Sequence, residues 1–256
     1  MSEAQSKSTL KEEVKVPMKE LNTLEKNIIK YILEMRYMNL GQIKKKFFRA
    51  NEEFAAKASG VVADLVTSGY LKTKDPVLTL NSLFTVTNEG REVVVNGHPG
   101  KTVPQVQKNI FSPRVKHDLL LNDLRIRFED LNFLTKWISE VSLKEIGLFL
   151  REFKDLPDAV CYKKDKKAYF LELEVSPKSP KVYAERIDHY LKVLENEEIQ
   201  KAGIEGVIFF CTDDKVIEKI KAQIPEGVKE ISVLSYHKYF APKPPEQNKT
   251  AHEAVL

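Results

Sequence analysis

Cysteine is scarce in this sequence, and long apolar runs are missing. The chain has 256 residues but only two cysteines, Cys161 and Cys211, and both lie in apolar stretches. This pattern excludes a disulfide-stabilised scaffold and favours a reducing compartment, the cytoplasm. Apolar stretches such as residues 207–211 are far shorter than the ~20 residues of a membrane-spanning helix. Residues 1–20 have no apolar core, so we expect neither a secretory signal nor a membrane partner.

Several motifs of known chemistry are also missing. There is no Gly-x-x-x-x-Gly-Lys-Ser/Thr run, which excludes a P-loop nucleotide site. There is no Gly-x-Ser-x-Gly segment either, which excludes the nucleophile elbow of an α/β-hydrolase. The five histidines are scattered along the chain, whereas a relaxase would need them clustered around a metal ion. Neither cysteine has a second Cys or a His at the spacing of a zinc site.

The charges are nearly balanced overall but unevenly distributed. The chain has 41 Lys and Arg residues against 37 Asp and Glu residues, a formal net charge of +4. Residues 1–104 hold 16 of the basic and 12 of the acidic residues, so the whole excess lies there. From Arg36 to Lys57 there are six basic residues and two acidic ones. We therefore expect an anionic partner to bind the N-terminal part of the chain.

Three segments of low apolar content divide the chain. Residues 1–20 are rich in Ser, Lys and Glu and are interpreted as a disordered arm. Residues 97–113 contain Gly and Pro without periodicity and are typical of a linker. Residues 241–256 carry prolines and few large apolar residues, which predicts a disordered tail. Two ordered domains are therefore predicted, at 21–96 and 114–240.

The first domain has the predicted element order of a winged helix-turn-helix. Periodicity and turn residues predict three helices, a β-hairpin and a last helix. The first helix is expected to follow an N-cap at Thr23. The run LVTSGYLKTK, followed by SLFTVTNEGREVV, resembles the end of many such domains. The predicted elements lie at residues 24–33, 40–48, 52–68, 70–74, 82–87 and 89–95.

In such a domain the third helix can lie in the major groove of double-stranded DNA while the hairpin contacts the backbone. Double-stranded DNA is therefore the expected partner. The alternative is a winged domain that serves only dimerisation or protein contact, in which case the lysine run is a solvated face. The candidate DNA-binding residues are Lys44, Lys45, Lys46, Arg49, Lys57, Lys72 and Lys74.

The second domain is predicted to have the order α-β-β-β-α-β, followed by α-β. A β meander followed by a crossover helix and a parallel strand gives an α/β sandwich. With the first domain, this makes the whole chain a mixed α+β or α/β protein. The predicted elements are helix 115–131, strands 137–143, 159–162 and 167–175, helix 181–195, strand 206–212, helix 213–224 and strand 231–235.

Three carboxylates in the second domain are candidate metal ligands. Asp158 follows Pro157 at the start of one predicted strand, and Glu172 and Glu174 lie two residues apart in the next. Side chains two apart in a strand share a face. If the strands pair as a hairpin, Asp158 lies across from the two glutamates. Such a cluster of oxygen ligands suits Mg²⁺, which can activate water and neutralise charge on a phosphate.

This pattern, Pro157-Asp158 followed by Glu172-Leu173-Glu174, resembles the PD-(D/E)xK nuclease superfamily. There the last position is most often lysine, and Glu174 departs from it. The resemblance implies a Mg²⁺-dependent DNA endonuclease in which the three carboxylates are catalytic. The lysine that stabilises the attacked phosphate would then be Lys178 or Lys181.

A narrower resemblance covers residues 20–225. The segment SPRVKHDLLLNDLRIRF, followed by LPDAV, FLELE and KVYAERIDHYLKVL, resembles the replication-relaxation family. That family implies a mobile-element protein with a winged helix and a nuclease-like domain, acting in plasmid replication or mobilisation. It also implies other replication proteins, or a second copy of the chain, as partners. The further matching positions are His117, Asn122 and Tyr190.

Each of these residues also has a purely structural interpretation. Asp158 could start a strand, and the glutamate pair could face solvent. His117 and Tyr190 could simply pack in the interior. The alternative function is accordingly a non-catalytic DNA-binding accessory factor, or a transcription regulator that uses a degenerate nuclease fold for contacts. The glutamate at position 174 favours this alternative.

Overall fold

The computed structural model describes residues 19–49, 52–74, 82–107, 109–110, 112–147, 153 and 156–240. Most of the predicted arm and all of the predicted tail lie outside these residues, as does the tip of the predicted hairpin. The described residues form helices and two β-sheets, so the mixed α+β class is confirmed. Within these ranges, no helix has the length and apolar character needed to cross a membrane.

The first part of the chain combines four helices with a three-stranded antiparallel sheet. The strand order is β1-β3-β2, so β3 lies between the other two strands. The elements are α1 (Thr23–Glu34), β1 (Met38–Asn39), α2 (Leu40–Phe47), α3 (Glu52–Thr67), β2 (Leu71–Lys74), β3 (Leu83–Val86) and α4 (Asn88–Gly97).

Side chains fix where the first two helices begin. The Asn22 side chain accepts a hydrogen bond from the Glu25 amide, and the Glu25 carboxylate accepts one from the Asn22 amide. This reciprocal pair is a capping box, which satisfies amides that have no partner inside the helix. The N-cap of α1 is therefore Asn22, and Thr23, predicted for that role, is the first helical residue. Asn39 and Gln42 form the same arrangement at the start of α2.

The second part of the chain contains a five-stranded sheet in the order β4-β5-β6-β7-β8. The pairs β4/β5 and β5/β6 are antiparallel, and β6/β7 and β7/β8 are parallel. The elements are α5 (Ser112–Asp130), β4 (Leu134–Ser139), α6 (Glu140–Ile146), β5 (Ala159–Lys163), β6 (Ala168–Glu174), α7 (Pro180–Leu194), α8 (Glu197–Lys201), β7 (Ile204–Cys211), α9 (Asp214–Lys221), β8 (Ile231–Ser235) and a 3₁₀ turn at Tyr236–Tyr239.

Each face of the five-stranded sheet belongs to a different apolar core. On one face, residues such as Leu171 pack with α5 and with helices of the first part. On the other face, residues such as Phe170 and Phe209 pack with α7 and α9. The two parts of the chain therefore share a continuous core. The predicted linker contributes to the packing, because Val103 is buried and Arg91 donates hydrogen bonds to the Val103 and Pro104 carbonyls.

The two cysteines lie on opposite faces of this sheet. Cys161 on β5 belongs to the core under α5, and Cys211 on β7 belongs to the core under α7. Both thiols are free and buried. Burial raises the pKa of each to about 12. The expectation that they form no disulfide is confirmed.

One element differs in type from the prediction. The apolar alternation predicted a strand at 137–143, but β4 ends at Ser139 and α6 starts at Glu140. Glu140 is buried, where it pairs with Arg36 and Arg114. These long-range ion pairs and the burial of Leu143 override the local pattern, and Gly147 ends the helix with a left-handed backbone at φ 66°.

Candidate functional site

A cavity of about 1010 Å³ opens at the end of the five-stranded sheet where β6 finishes. It is lined by residues from α5, α6, α7, the end of β6 and the segment before β5. The lining is rich in charge of both signs. Its basic residues are Arg114, Lys116, His117, Lys144, Lys178 and Arg186, and its acidic residues are Glu140, Asp158, Glu172 and Glu174.

Glu172 and Glu174 lie on the same face of β6, the face that packs against α7. Their side chains are each only 2% exposed. The neighbours Leu171 and Leu173 point to the opposite face, in the core under α5. The two glutamates therefore do share one face of the strand. That face is buried under α7 and does not meet open solvent.

Asp158 lies across from the glutamate pair. It precedes Ala159, which pairs with Leu171 in the antiparallel ladder of β5 and β6. Its Oδ2 accepts a hydrogen bond from the Leu173 amide over 2.9 Å. The structure thus brings the three predicted carboxylates to one cavity.

Two residues of α7 engage the glutamates. Arg186 Nη2 lies 3.1 Å from Glu172 Oε2, and Arg186 Nη1 donates to Glu174 Oε1. The Tyr190 hydroxyl donates to Glu172 Oε1. Burial, together with the nearby Asp158 carboxylate, raises the pKa of Glu172. The guanidinium of Arg186 bridges both carboxylates and supplies the positive charge that their burial requires.

The two candidate lysines have different positions. Lys178 Nζ donates to Glu174 Oε1 over 2.7 Å, and the residue lines the cavity. The Lys181 side chain is 84% exposed, and its Nζ lies 3.8 Å from Glu185 Oε1 on the same helix. Lys181 is not among the residues that line the cavity. The structure therefore brings Lys178, and not Lys181, to the carboxylates.

His117 on α5 lies between two carboxylates. Its Nδ1 is 3.1 Å from Asp118 Oδ1, and its Nε2 is 3.0 Å from Asp158 Oδ2. Burial alone would lower the pKa of His117, but the hydrogen bonds to Asp118 and Asp158 raise it to about 10. At neutral pH the ring is therefore protonated on both nitrogens and donates to both carboxylates.

A chain of ion pairs leads from the cavity to the first part of the molecule. Arg114 Nη2 donates to Glu140, and Arg114 Nε donates to Asp118 over 3.1 Å. Arg36, in the turn after α1, donates to Glu140 Oε2 over 2.5 Å and lies 3.5 Å from Asp118 Oδ2. Burial alone would raise the pKa of Glu140, but the charge of Arg36, with Lys144 and Arg114, lowers it to about 2.

These contacts do not fit a resident Mg²⁺ ion in the predicted three-carboxylate site. Both oxygens of Glu172 already have protein partners, Tyr190 and Arg186. Glu174 Oε1 accepts from Arg186 and Lys178 together. A divalent cation would have to displace the bridging guanidinium. Among the described residues, no group of three or more His, Cys, Asp or Glu side chains could hold a metal ion.

Several candidate DNA-binding residues of the first part pair with α5. Lys46 Nζ lies 2.5 Å from Glu129 Oε2, and Arg49 pairs with Asp130. Lys45 Nζ lies 5.3 Å from the centre of the Phe240 ring. The lysines at the end of α2 therefore contact the second part of the chain.

The remaining candidates lie on other surfaces of the first part. Lys57 on α3 is exposed and pairs with Glu53 one helical turn away. Lys74 on β2 is exposed, and Lys72 on the same strand and Lys44 on α2 are half-buried.

Asn122, another family-matching position, lies away from the cavity. It is buried, and its Nδ2 donates to the Tyr37 carbonyl over 2.7 Å and to Gln42 Oε1 over 3.3 Å. Asn122 on α5 therefore ties the two parts of the chain together.

Arg186, which contacts both glutamates, was not among the site residues predicted from the sequence. The sequence does contain a pattern that indicates it. Arg186 lies four residues before Tyr190 and three after Tyr183, so it interrupts the edge of an apolar stripe that faces the strand with both glutamates. Arg114 and Glu140 carried no comparable signal, because their contact with each other and the contact of Glu140 with Arg36 join residues that are far apart in the sequence.

Comparison with known proteins adds one finding. A family model described as replication-relaxation matches residues 29–208, which is more than half of the chain. This stretch runs from α1 to β7 and includes the residues that line the cavity. No curated protein matches the chain.

Proposed function

Because the chain belongs to the replication-relaxation family, we propose that it is a DNA-binding protein that acts in the replication or mobilisation of a plasmid or another mobile element. In this proposal the first part of the chain is a winged helix-turn-helix that binds double-stranded DNA. The second part is a nuclease-like domain that contacts DNA without cutting it.

The arrangement of the first part supports the DNA-binding proposal. Its element order, α1-β1-α2-α3-β2-β3, and its strand order, β1-β3-β2, are those expected of a winged helix. The third helix of such a domain is the one that enters the major groove. In α3, exposed residues include Lys57, and the adjoining strand β2 carries Lys72 and Lys74. We propose this surface, rather than the end of α2, as the DNA-binding face.

The second part supports the nuclease-like assignment by its topology. A helix is followed by three antiparallel strands, a crossover helix and a parallel strand, with the short helices α6 and α8 inserted. Asp158 and the Glu-x-Glu pair lie at one end of this sheet, where they line a single cavity.

The observation that carries the non-catalytic assignment is the contact of Arg186 with both Glu172 and Glu174. A metal-dependent nuclease needs carboxylate oxygens free to bind the metal ion. Here a protein cation already occupies them, and the position where the nuclease pattern has lysine is Glu174. A Mg²⁺-dependent endonuclease is the second candidate function, and the convergence of three carboxylates with Lys178 favours it.

One pair of assays separates these functions. Fluorescence anisotropy with a labelled DNA duplex is expected to show binding that weakens as salt rises, since phosphate contacts release counterions. Lys72→Ala combined with Lys74→Ala is expected to flatten the plot of the logarithm of the binding constant against the logarithm of the salt concentration. Its slope should change by about one for each phosphate contact that is lost. Lys192→Ala combined with Lys201→Ala, on α7 and α8, removes the same number of charges from the second part of the chain and serves as the control. Absence of duplex binding by the wild type would contradict the proposal.

The nuclease question is answered with supercoiled plasmid. Incubation with Mg²⁺ or Mn²⁺ is expected to leave the plasmid intact for the wild type and for Asp158→Ala alike. Nicking by the wild type that is lost in Asp158→Ala would overturn the non-catalytic assignment and establish the endonuclease.

A further inference from the structure

We infer that the cavity at the end of the five-stranded sheet is a metal-independent binding site for the phosphate groups of a nucleic acid strand, with Arg186 in the place that a bound metal ion would take. The inference deepens the proposed function and rests on it for the identity of the ligand. It follows from where the two signs of charge lie in the cavity.

The carboxylates form the floor of the cavity and the cations form its rim. Glu172 and Glu174 are 2% exposed, and Asp158 and Glu140 are 10% exposed. In contrast, the side chains of the basic residues are more open to solvent. Their exposed fractions are 37% for Arg114, 54% for Lys144 and 39% for Lys178, and Lys116 is also exposed. A ligand that enters from solvent therefore meets positive charge first.

The count of charges also favours an anion. Six basic residues line the cavity against four carboxylates. Five of the six are Lys or Arg, which already outnumber the carboxylates without His117. A cavity with this surplus attracts phosphate and repels a free divalent cation.

The rim cations have the right chemistry for phosphate. Arg114 presents a planar guanidinium that can donate two parallel hydrogen bonds to phosphate oxygens, and Lys144 and Lys178 are mobile point charges. Each head group already donates one hydrogen bond to a carboxylate on the floor, which fixes its position at the opening, and its other N–H bonds can be donated to a phosphate. A volume of about 1010 Å³ is at the upper end of the ~300–1,000 Å³ usual for small-ligand pockets. This leaves room for a nucleotide with two phosphates.

Arg186 makes the site independent of metal. Its guanidinium contacts both buried glutamates from α7, and Lys178 also contacts Glu174, so two cations of the protein balance the two carboxylates. In a metal-dependent site the same carboxylates would need Mg²⁺ before a phosphate could approach without repulsion. Here that repulsion is removed in advance.

The first test uses thymidine 3′,5′-bisphosphate, a ligand too small to span a winged helix. Isothermal titration in the presence of EDTA is expected to show binding to the full chain. Lys178→Ala and Lys144→Ala should each weaken binding by about tenfold or more, the usual effect of losing a charged hydrogen bond. Lys181→Ala is the matched control, because it removes a lysine close in sequence whose side chain lies outside the cavity. It should leave the affinity unchanged.

Three results would overturn the inference: no binding in EDTA, binding that requires Mg²⁺, or an equal loss of affinity in Lys181→Ala. The same samples are titrated with a DNA duplex. If duplex binding persists while the bisphosphate fails to bind, the inference is wrong and the proposed function stands. If the bisphosphate binds while duplex binding is absent, the proposed function is wrong and the phosphate site stands.

The second test addresses Arg186 directly by thermal unfolding. Arg186→Met leaves Glu172 without its cation and Glu174 with Lys178 alone, so Mg²⁺ is expected to raise the Tm of this variant. The Tm of the wild type and of Arg186→Lys, which keeps a positive charge, should not respond to Mg²⁺. A rise in the wild-type Tm with Mg²⁺ would overturn the role of Arg186. If Arg186→Met does not fold, the titrations of the lysine variants decide the question.

Discussion

His117 shows how single side chains set the electrostatics of the cavity. Its ring lies between Asp118 and Asp158, which belong to different elements of the second part. A charged imidazole that donates from both nitrogens links α5 to the segment before β5. The same charge balances part of the negative charge of these two buried carboxylates.

Replacing His117 by Gln is expected to lower the free energy of unfolding most at low pH. The pKa of His117 is raised from 6.5 to about 10 in the folded chain. Its stabilising contribution is therefore complete below pH 6.5 and is lost as the pH rises through about 10. Urea denaturation of the wild type and His117→Gln at about pH 6 and about pH 10 measures the difference.

The matched control for this experiment is His237→Gln. His237 is exposed, and its Nε2 lies 3.1 Å from the Thr212 carbonyl oxygen. Its removal should change the free energy of unfolding little at either pH. A loss in His117→Gln that is equal at both pH values would contradict the ionic role of His117.

At the scale of elements, the starts of the helices depend on a few polar side chains. Asn22→Ala removes the side-chain cap of α1, so the Glu25 amide loses its partner. The expected loss is about 1 kcal/mol of unfolding free energy, typical of an N-cap. Chemical denaturation measures it. Asn27→Ala, at an exposed position inside the same helix, should cost nothing, and an equal loss in both variants would contradict the capping role.

Periodic elements could be predicted from the sequence, and elements fixed by distant partners could not. The apolar stripe of α7 and the alternation of β6 follow from local spacing, so the helix and the shared face of Glu172 and Glu174 were predicted. The helix α6 was not, because its buried Glu140 depends on Arg36, far away in the sequence.

In the candidate site too, contacts fixed by local spacing could be predicted and contacts that depend on packing could not. Asp158 could be placed opposite the glutamates because an antiparallel hairpin fixes which residues face each other. The contact of Arg186 with those glutamates could not, because it depends on how α7 packs across the sheet. Nor could spacing along the chain reveal that the lysines at the end of α2 point towards α5.

At the scale of the whole molecule, the two parts of the chain behave as one packed unit. Residues of α1, α5 and β6 belong to the same core. Polar contacts add to it, because the Ser139 hydroxyl donates to the Glu34 carbonyl and Gln42 donates to the Leu119 carbonyl. The domain boundaries inferred from sequence stay a prediction, and this shared packing bears on how the chain unfolds.

We expect the two parts to unfold in a single transition. Trp137, the single tryptophan, lies on β4, is 8% exposed and reports on the sheet. Far-ultraviolet circular dichroism is dominated by the helices of both parts. The two signals should give coincident urea curves, as they do in two-state unfolding. Separate midpoints would show that the parts unfold independently.

The placement of Cys161 and Cys211 on opposite faces of one sheet has a consequence for following the chain over time. A buried thiol with a raised pKa reacts only when its surroundings open. A thiol-specific reagent would therefore label Cys161 when the layer of α5 lifts away, and Cys211 when the layer of α7 does. The labelling rates of the two thiols in the native sequence therefore report separately on the opening of the two helical layers.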